Sequence, residues 1–225
     1  MTDIRLDWDR AARTGVPEAI FCETKTAEQI ARIIDEGEGL GHPVLFTRLS
    51  PDLLTATGRG GKLDYDPTSR TAILGNPVAA PHDVGIALVC AGTSDLPVLK
   101  EAERTLIFCG VAASSYADVG VAGLWRLTET VPKLAGCKVV IAFAGFEAAL
   151  FSVLAGLIAA PVIAVPTSIG SGVAAGGQAA LTSALASCAP GVLVVNIDNG
   201  FGAACAALKI LNATGTGPPK RGEMS

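Results

Sequence analysis

Five runs of mainly apolar residues follow one another after residue 83, and they constrain the fold more than any other feature of the chain. They span residues 84–91, 110–117, 138–144, 161–166 and 191–197. Apolar residues on both alternations of a run are typical of parallel strands that are covered on both faces. Because a helix-capable segment follows each run, we predict an α/β fold, a three-layer sandwich in which right-handed crossovers build one parallel sheet.

The first part of the chain is rich in charged residues and lacks this regular succession. We predict a small α+β domain there, with helices at about 3–13 and 26–36 and short strands near 43–47 and 70–74. Residues 75–83, GNPVAAPHD, have the composition of a linker. The predicted division is an N-terminal domain at 1–80, an α/β domain at 81–213 and a disordered tail at 214–225.

Residues 148–197 contain no Asp, Glu, Lys, Arg or His. We predict no membrane span, because Pro161 interrupts the most apolar stretch and the residues after it are rich in Gly and Ser. A helix without a charged face is normally buried all round, and one three-layer domain cannot bury the outer faces of its own helices. We therefore expect a homo-oligomer larger than a dimer. The net charge of −4, without a basic stripe, argues against nucleic acid as a partner.

The six cysteines stand at 22, 90, 109, 137, 188 and 205 and form no C-x-x-C pair, which argues against a zinc ribbon. The opening residues, MTDIRLDWDR, lack the apolar segment of a signal peptide. We expect reduced thiols in a cytoplasmic protein. Cys90, Cys109 and Cys137 are interpreted as small apolar fillers of the core.

Ligands of open parallel sheets bind outside the carboxyl ends of the strands. The segments that follow the five predicted strands are rich in Gly, Ser, Thr or acids, so we expect the functional site among them. They supply the candidate substrate-binding residues Thr93, Ser94, Asp118, Thr167, Ser168, Gly170, Asn196, Asp198 and Asn199.

Thr93, Ser94 and Asp95 follow the first apolar run and precede a helix that carries Pro97. Ser or Asp at this place can cap the helix, with Pro in its first turn. Free amides and hydroxyls at a helix start can also bind a phosphate group. The two interpretations are compatible, and both stay open.

Glu147 stands alone in an apolar stretch, and we expect it just inside a helix that follows a buried strand. Its charge would be favourable at the positive end of the helix dipole. We favour a functional role, because a partly desolvated carboxylate has a raised pKa and can act as an acid, a base or a Mg²⁺ ligand. The nearby GSGVAAG, 170–176, lacks the spacing and the later acid of a dinucleotide fingerprint, so we reject a Rossmann dehydrogenase.

Cys188 stands at a predicted helix-to-strand junction, just before Ala-Pro-Gly. On residue type alone, a buried structural thiol is the leading interpretation. The junction belongs to the amino edge of the sheet, away from the predicted site. A catalytic role therefore requires a neighbouring subunit or a long loop to bring the thiol to a site.

Five motifs, in order, carry a resemblance to a known family. They are AGTSDLPV, DVGVAGLWRL, VVIAFAGFEAALFSVLAGL, PVIAVPTSIGSG and VVNIDNGFGAA, and LDWDRAARTGVPEAIF and KTAEQI extend the likeness to the N-terminal part. The chain resembles the LarB family, which opens the biosynthesis of the nickel-pincer nucleotide cofactor. It resembles more weakly the aminoimidazole ribonucleotide carboxylases of purine synthesis, whose fold is flavodoxin-like.

The LarB resemblance implies a cytoplasmic, CO2-dependent carboxylase and hydrolase with no organic cofactor. The implied substrate is nicotinic acid adenine dinucleotide, which is carboxylated at C5 of the pyridinium ring with CO2 or bicarbonate and cleaved to AMP and pyridinium-3,5-biscarboxylate mononucleotide. By motif order Cys188 matches the cysteine that adds to the ring, with Glu147 and Asp95 as further catalytic candidates and Mg²⁺ on Glu147. The resemblance also implies a homo-oligomer, with an octamer as the suggested size.

Two alternatives remain. One is an aminoimidazole ribonucleotide carboxylase or mutase, although Ala149 stands where that family carries a histidine. The other is a non-catalytic nucleotide-binding subunit of an assembly, which would be indifferent to Cys188 and Glu147.

Overall fold

A computed structural model describes residues 4–75 and 82–217. The N-terminal part holds a four-stranded sheet in the order β1-β2-β4-β3, in which β1 and β2 are parallel and the other pairs antiparallel. Its strands are β1 (Ala19–Phe21), β2 (Val44–Thr47), β3 (Leu63–Asp66) and β4 (Thr71–Leu74). Its helices are α1 (Arg10–Thr14), α2 (Ala27–Leu40) and α3 (Pro51–Thr57).

Helix α2 covers this sheet with Ile30, Ile33 and Ile34, which are buried against β2 and β4. Its start is fixed by a capping box, in which the Thr26 hydroxyl accepts from the Gln29 N–H and the Gln29 side chain accepts from the Thr26 N–H. The predicted helix at 26–36 is confirmed and extends to Leu40, where Gly41 ends it in the left-handed conformation. The predicted strands at 43–47 and 70–74 are confirmed as β2 and β4.

The predicted helix at 3–13 is wrong for most of its length, because helix begins only at Arg10 and residues 1–3 lie outside the described part. Ile4, Leu6 and Trp8 pack against the N-terminal core from non-helical backbone. The Asp7 N–H is donated to Glu18 at 2.5 Å, so tertiary contacts replace the first helical turns. Strands β1 and β3 and helix α3 were not predicted.

The α/β domain is built on a five-stranded, fully parallel sheet in the order β6-β5-β7-β8-β9. The strands are β5 (His82–Cys90), β6 (Val111–Tyr116), β7 (Val139–Ala144), β8 (Val162–Pro166) and β9 (Val192–Val194). The helices are α4 (Leu96–Phe108), α5 (Leu124–Thr130), α6 (Leu150–Ala155), α7 (Gln178–Leu185) and α8 (Gly200–Ala213).

Helices α4 and α8 pack on one face of this sheet, and α5, α6 and α7 pack on the other. The predicted three-layer sandwich with a parallel sheet is therefore confirmed. Burial on both faces holds for the central strands β7 and β8, whereas the edge strand β6 exposes Ser114 and Ser115. The last strand is shorter than the predicted 191–197, because the chain turns after Val194 toward Asp198, whose N–H is donated to the Pro166 carbonyl at 2.8 Å.

The two parts are in contact. Leu45 and Ile73 of the N-terminal sheet form a small buried cluster with Phe108 of α4. Arg104 of α4 pairs with Asp64 of β3 at 2.7 Å. The predicted linker lies largely outside the described residues, which resume at His82 inside β5, and so does the predicted tail after Gly217. In the described ranges, no helix combines the length and the apolar character needed to cross a bilayer.

Candidate functional site

A cavity of about 330 Å³ opens at the carboxyl edge of the parallel sheet. Its walls come from the segments that follow β5, β6 and β7: residues 91–92, 94–95, 120–122 and 144–150, with Ile169 from the segment after β8. Ser94, Asp95 and Glu147, three of the residues predicted from sequence, line it together. Most of the other lining residues are Gly and Ala, so few large side chains fill the cavity and few of the groups that line it are polar.

Asp95 is buried to 3% exposure, and both of its carboxylate oxygens are occupied. One accepts the hydroxyl of the fully buried Thr167 at 2.6 Å, and the other accepts the Gly92 N–H at 2.9 Å. Burial raises the pKa of Asp95, and the bonds from Thr167 and Gly92 oppose that rise. Asp95 and Thr167 thus tie the segments after β5 and β8 together beneath the cavity floor.

Glu147 lies in a turn between β7 and α6, and not inside a helix as predicted. Its side chain is exposed, so the predicted desolvation is absent in the single chain. Helix α6 begins only at Leu150, because Phe146 and Ala148 adopt left-handed backbone with φ of 53° and 51°. This conformation is uncommon for residues other than Gly, and strained turns of this kind concentrate at functional sites.

The same turn is held by a close backbone approach. The Phe146 N–H is donated to the Ile169 carbonyl at 2.9 Å, and a side chain at Gly145 would clash with that carbonyl oxygen. Only glycine therefore fits at 145, and the turn presents Glu147 at the mouth of the cavity.

Asp118 follows β6 in left-handed backbone, with φ of 58°, and is exposed outside the cavity. Its carboxylate pairs with Arg126 at 2.5 Å and its carbonyl accepts from the same guanidinium at 3.1 Å. The predicted substrate-binding residue thus fixes the loop whose residues 120–122 form a cavity wall.

The remaining predicted residues have different settings. Asn199 caps α8 by accepting the Gly202 N–H at 2.8 Å, whereas Asn196 and Thr93 are exposed and line neither described cavity. Asp198 accepts the Ser168 N–H at 2.8 Å, which joins the segments after β8 and β9. Gly170 is required because a side chain there would clash with the Ala174 carbonyl.

A second cavity of about 130 Å³ adjoins the first, and Ser94 and Ile169 line both. Ser168 and Asp198 lie in its wall, together with Arg48 and Arg70 from the N-terminal part. The sequence reasoning missed these two arginines. No motif marks them, because they reach the cavity through the contact between two domains.

Cys188 lies between α7 and β9, at the amino edge of the sheet, while the cavity lies at the carboxyl edge. Strand β8 alone spans about 13 Å between these edges, at about 3.3 Å per residue. The thiol is exposed, and the other five cysteines are buried or half-buried. Burial raises the pKa of Cys22 to about 12 and that of Cys90 to about 11, which keeps those thiols protonated and unreactive. The filler interpretation is confirmed for Cys90, while Cys109 and Cys137 are half-buried.

A resident metal does not fit these residues. Among the residues that the structure describes, no three His, Cys, Asp or Glu side chains are grouped closely enough to hold an ion. Asp95 has both oxygens engaged, so Glu147 alone offers a carboxylate at the cavity mouth. One carboxylate is fewer ligands than a protein-bound Mg²⁺ needs without substrate oxygens.

Comparison with known proteins agrees with the two-part structure. Residues 1–76 match the family model of the LarB/PurE-like N-terminal domain, and residues 85–217 match that of AIR carboxylase. The chain is 35% identical over 209 residues to the uncharacterized protein MJ0165 of Methanocaldococcus jannaschii, a match that covers 89% of this chain and 80% of the relative. The chain therefore belongs to the LarB/PurE-like carboxylase family and has its LarB-like architecture, an N-terminal domain of that type followed by an AIR carboxylase domain.

Proposed function

We propose that the protein carboxylates the pyridinium ring of nicotinic acid adenine dinucleotide at C5 and hydrolyses its phosphoanhydride. The products are pyridinium-3,5-biscarboxylate mononucleotide and AMP, at the start of nickel-pincer cofactor biosynthesis. The observation that carries the proposal is the exposed thiol of Cys188 in a chain of LarB-like architecture. The other five cysteines are buried or half-buried, so Cys188 has the thiol that is most accessible to a substrate.

The proposed reaction requires a nucleophile that adds to the pyridinium ring. A pyridinium carbon is electron-poor and does not attack CO2. Addition of the Cys188 thiolate to the carbon next to C5 forms an S–C bond and moves a ring electron pair, which makes C5 the nucleophilic end of an enamine. C5 then forms a C–C bond with CO2. A base removes the C5 proton, and the ring regains aromaticity as the S–C bond breaks and the thiolate leaves.

Glu147 is the proposed base, because it is the one ionisable side chain of the larger cavity whose carboxylate is not held by a described hydrogen bond. Asp95 is the proposed positioning residue, since its bonds to Thr167 and Gly92 set the cavity floor. Ser94 lies beside them with an exposed side chain that can donate to the substrate.

Cys188 and Glu147 lie at opposite edges of the sheet in one chain, so the reaction requires a second copy. Apolar side chains near Cys188 are exposed in the single chain: Leu185 at 67% and Leu193 at 47%. We propose that a neighbouring copy covers this surface and that Cys188 of one chain serves the cavity of another. Assembly and activity are then inseparable.

The test is incubation of the protein with the dinucleotide and bicarbonate, with and without Mg²⁺, followed by mass analysis of the small molecules. We expect AMP together with a mononucleotide whose mass exceeds that of nicotinic acid mononucleotide by one CO2. Cys188→Ala should abolish carboxylation, and Cys137→Ala is the matched control that should keep it. Full carboxylation by Cys188→Ala would exclude the covalent route.

A complementation experiment tests the shared site. Cys188→Ala and Glu147→Gln are each expected to be inactive alone. After the two proteins are dissociated, mixed and reassembled, some sites combine an intact thiol from one chain with an intact carboxylate from another. Activity should return in the mixture, and a mixture that assembles yet stays inactive contradicts a site shared between chains.

A second candidate is an aminoimidazole ribonucleotide carboxylase or mutase, which the AIR carboxylase match at residues 85–217 favours. That chemistry needs a proton shuttle, yet His42 and His82 line neither described cavity. Binding of aminoimidazole ribonucleotide with no response to the dinucleotide would select this candidate. Binding of the dinucleotide without turnover, unaffected by changes at Cys188 and Glu147, would instead indicate a non-catalytic subunit.

A further inference from the structure

The smaller cavity is lined by polar groups from both domains. Its polar lining residues are Arg48, Ser69 and Arg70 from the N-terminal part, and Ser94, Glu101, Ser168 and Asp198 from the α/β domain. Ser94 also lines the larger cavity, so one ligand can extend through both cavities, with the Ser94 hydroxyl beside it. Both side chains are exposed, and within the described residues the hydroxyls of Ser94 and Ser168 form no hydrogen bond with another protein group.

Arg48 forms the junction between the domains. It pairs with the buried Glu101 of α4 at 3.3 Å and donates to the carbonyl of Asp198. Glu101 also accepts the Gly200 N–H at 3.0 Å, so this carboxylate is fully engaged. The positive charge of Arg48 is thus balanced within the protein, and its role is to hold the cavity wall in place.

Arg70 is different, because its side chain is exposed and makes no ion pair with a carboxylate in the described ranges. Its backbone is fixed, since its carbonyl accepts the Leu49 N–H at 2.8 Å. Both arginines adopt left-handed backbone, with φ of 57° at Arg48 and 53° at Arg70. This conformation is unfavourable for a long side chain, and two such residues at one cavity point to a functional constraint.

We propose that the smaller cavity is a phosphate subsite, in which Arg70 and the hydroxyls of Ser94 and Ser168 bind the phosphoanhydride of a dinucleotide whose ring occupies the larger cavity. This assignment rests on the proposed function for the identity of the ring. A guanidinium matches phosphate oxygens with two parallel N–H donors, and hydroxyls complete the shell. The volume of about 130 Å³ lies below the roughly 300–1,000 Å³ of pockets that hold a whole small ligand, so the cavity suits the phosphate part of the dinucleotide alone.

The proposed subsite assigns a function to the N-terminal domain, because this domain supplies the Arg70 cation and the described part of the α/β domain places no cationic side chain in the cavity wall. Asp198 stands in the same wall, with one carboxylate oxygen on the Ser168 N–H, and its negative charge opposes an anionic ligand. Removing one or the other charge should therefore have opposite effects on the affinity for an anion. Removing the charge of Arg70 weakens anion binding, and removing that of Asp198 strengthens it.

Inorganic pyrophosphate is the probe, titrated by calorimetry into the intact protein. Arg70→Asn removes the charge and suits left-handed backbone, and we expect about ten- to a hundredfold weaker binding, the range for a hydrogen bond to a charged group. Arg70→Lys should fall between this variant and the natural protein, since lysine keeps the charge and loses the paired donors. Asp198→Asn should bind pyrophosphate more tightly. Arg5→Asn, which removes an exposed charge elsewhere on the N-terminal part, is the control and should bind as the natural protein does.

Equal affinity of the natural protein and Arg70→Asn overturns the subsite, and so does tighter binding by Arg70→Asn. The proposed function fails independently. If pyrophosphate binding depends on Arg70 while the natural protein makes no carboxylated product, the subsite stands and the reaction is wrong. If product forms and pyrophosphate binding ignores Arg70, the reaction stands and the subsite is wrong.

Discussion

Replacing Thr167 by Val removes one hydroxyl from the centre of the α/β domain and leaves the shape of the side chain almost unchanged. Thr167 is fully buried, and its hydroxyl is donated to a carboxylate oxygen of Asp95 at 2.6 Å. Asp95 is itself buried, so water cannot replace the lost donor without opening the structure. The bond from the Gly92 N–H to the other oxygen is retained in the variant.

A hydrogen bond to a charged group contributes about 1.5–3 kcal/mol, and a buried acceptor left without its donor costs about 1–3 kcal/mol. We therefore expect Thr167→Val to lower the free energy of unfolding by about 2 kcal/mol. In a chain of this size, 1 kcal/mol corresponds to about 2–4 °C, so the melting temperature should fall by roughly 4–8 °C.

The loss depends on pH in a defined direction. Burial already raises the pKa of Asp95 above 3.8, and the Thr167 bond opposes that rise, so the variant raises the pKa further. Between the unfolded and folded pKa values the folded state holds the extra proton, and stability falls as pH rises through this window. The deficit of the variant should accordingly be larger at pH 7 than at lower pH, where the folded state binds the extra proton.

Urea unfolding at pH 7 and again at pH 5 measures both the loss of stability and its dependence on pH. The protein concentration is kept fixed, because association contributes to apparent stability. Thr182→Val makes the same chemical change at an exposed site of α7 and is the matched control. A loss no larger than that of Thr182→Val, or a loss that grows on acidification, would refute the reasoning.

Two further changes test other parts of the molecule. Glu101→Gln leaves the Arg48 guanidinium without its buried partner, so unfolding stability should fall by about 3–5 kcal/mol, and thermal unfolding followed by circular dichroism measures it. Leu185→Glu places a charge on the exposed apolar surface beside Cys188 and should reduce the mass seen by light scattering without loss of helix content. Its control is Leu40→Glu, a change at an exposed leucine of the N-terminal domain that should leave the mass unaltered.

The parallel sheet could be predicted from sequence because its central strands are buried on both faces. Strands β7 and β8 have no exposed position, so a continuous apolar run is the only pattern that fits them. Strands β1 and β3 could not be predicted, because β1 has only three residues and β3 carries two aspartates and has no buried position, whereas the equally short β2 and β4 are buried throughout. The helix predicted at 3–13 fails for another reason: Ile4, Leu6 and Trp8 alternate into the core from non-helical backbone, and tertiary packing overrides local preference.

The functional site, like the fold, could be predicted only in part. Ser94, Asp95 and Glu147 could be placed at one cavity, because the carboxyl ends of neighbouring parallel strands meet at one edge. The exposure of Glu147 could not be predicted, since its apolar sequence neighbours suggest burial, whereas the left-handed backbone at Phe146 and Ala148 forms a turn in which both Phe146 and Glu147 are exposed. Arg48 and Arg70 depend on how the two domains pack, which no local pattern encodes.

The proposed use of Cys188 also explains how a thiol on an apolar surface can react. Burial by itself favours the neutral thiol, as Cys22 and Cys90 demonstrate inside this chain. If a second copy covered Leu185 and Leu193 and did nothing more, the covered cysteine would be driven in the same direction. A pyridinium ring brings a fixed positive charge into that space, and an adjacent cation favours the thiolate. In the proposed reaction the positive charge of the substrate ring therefore favours attack by the thiolate, and the proposed cover by a second copy would shield the thiol before the substrate binds.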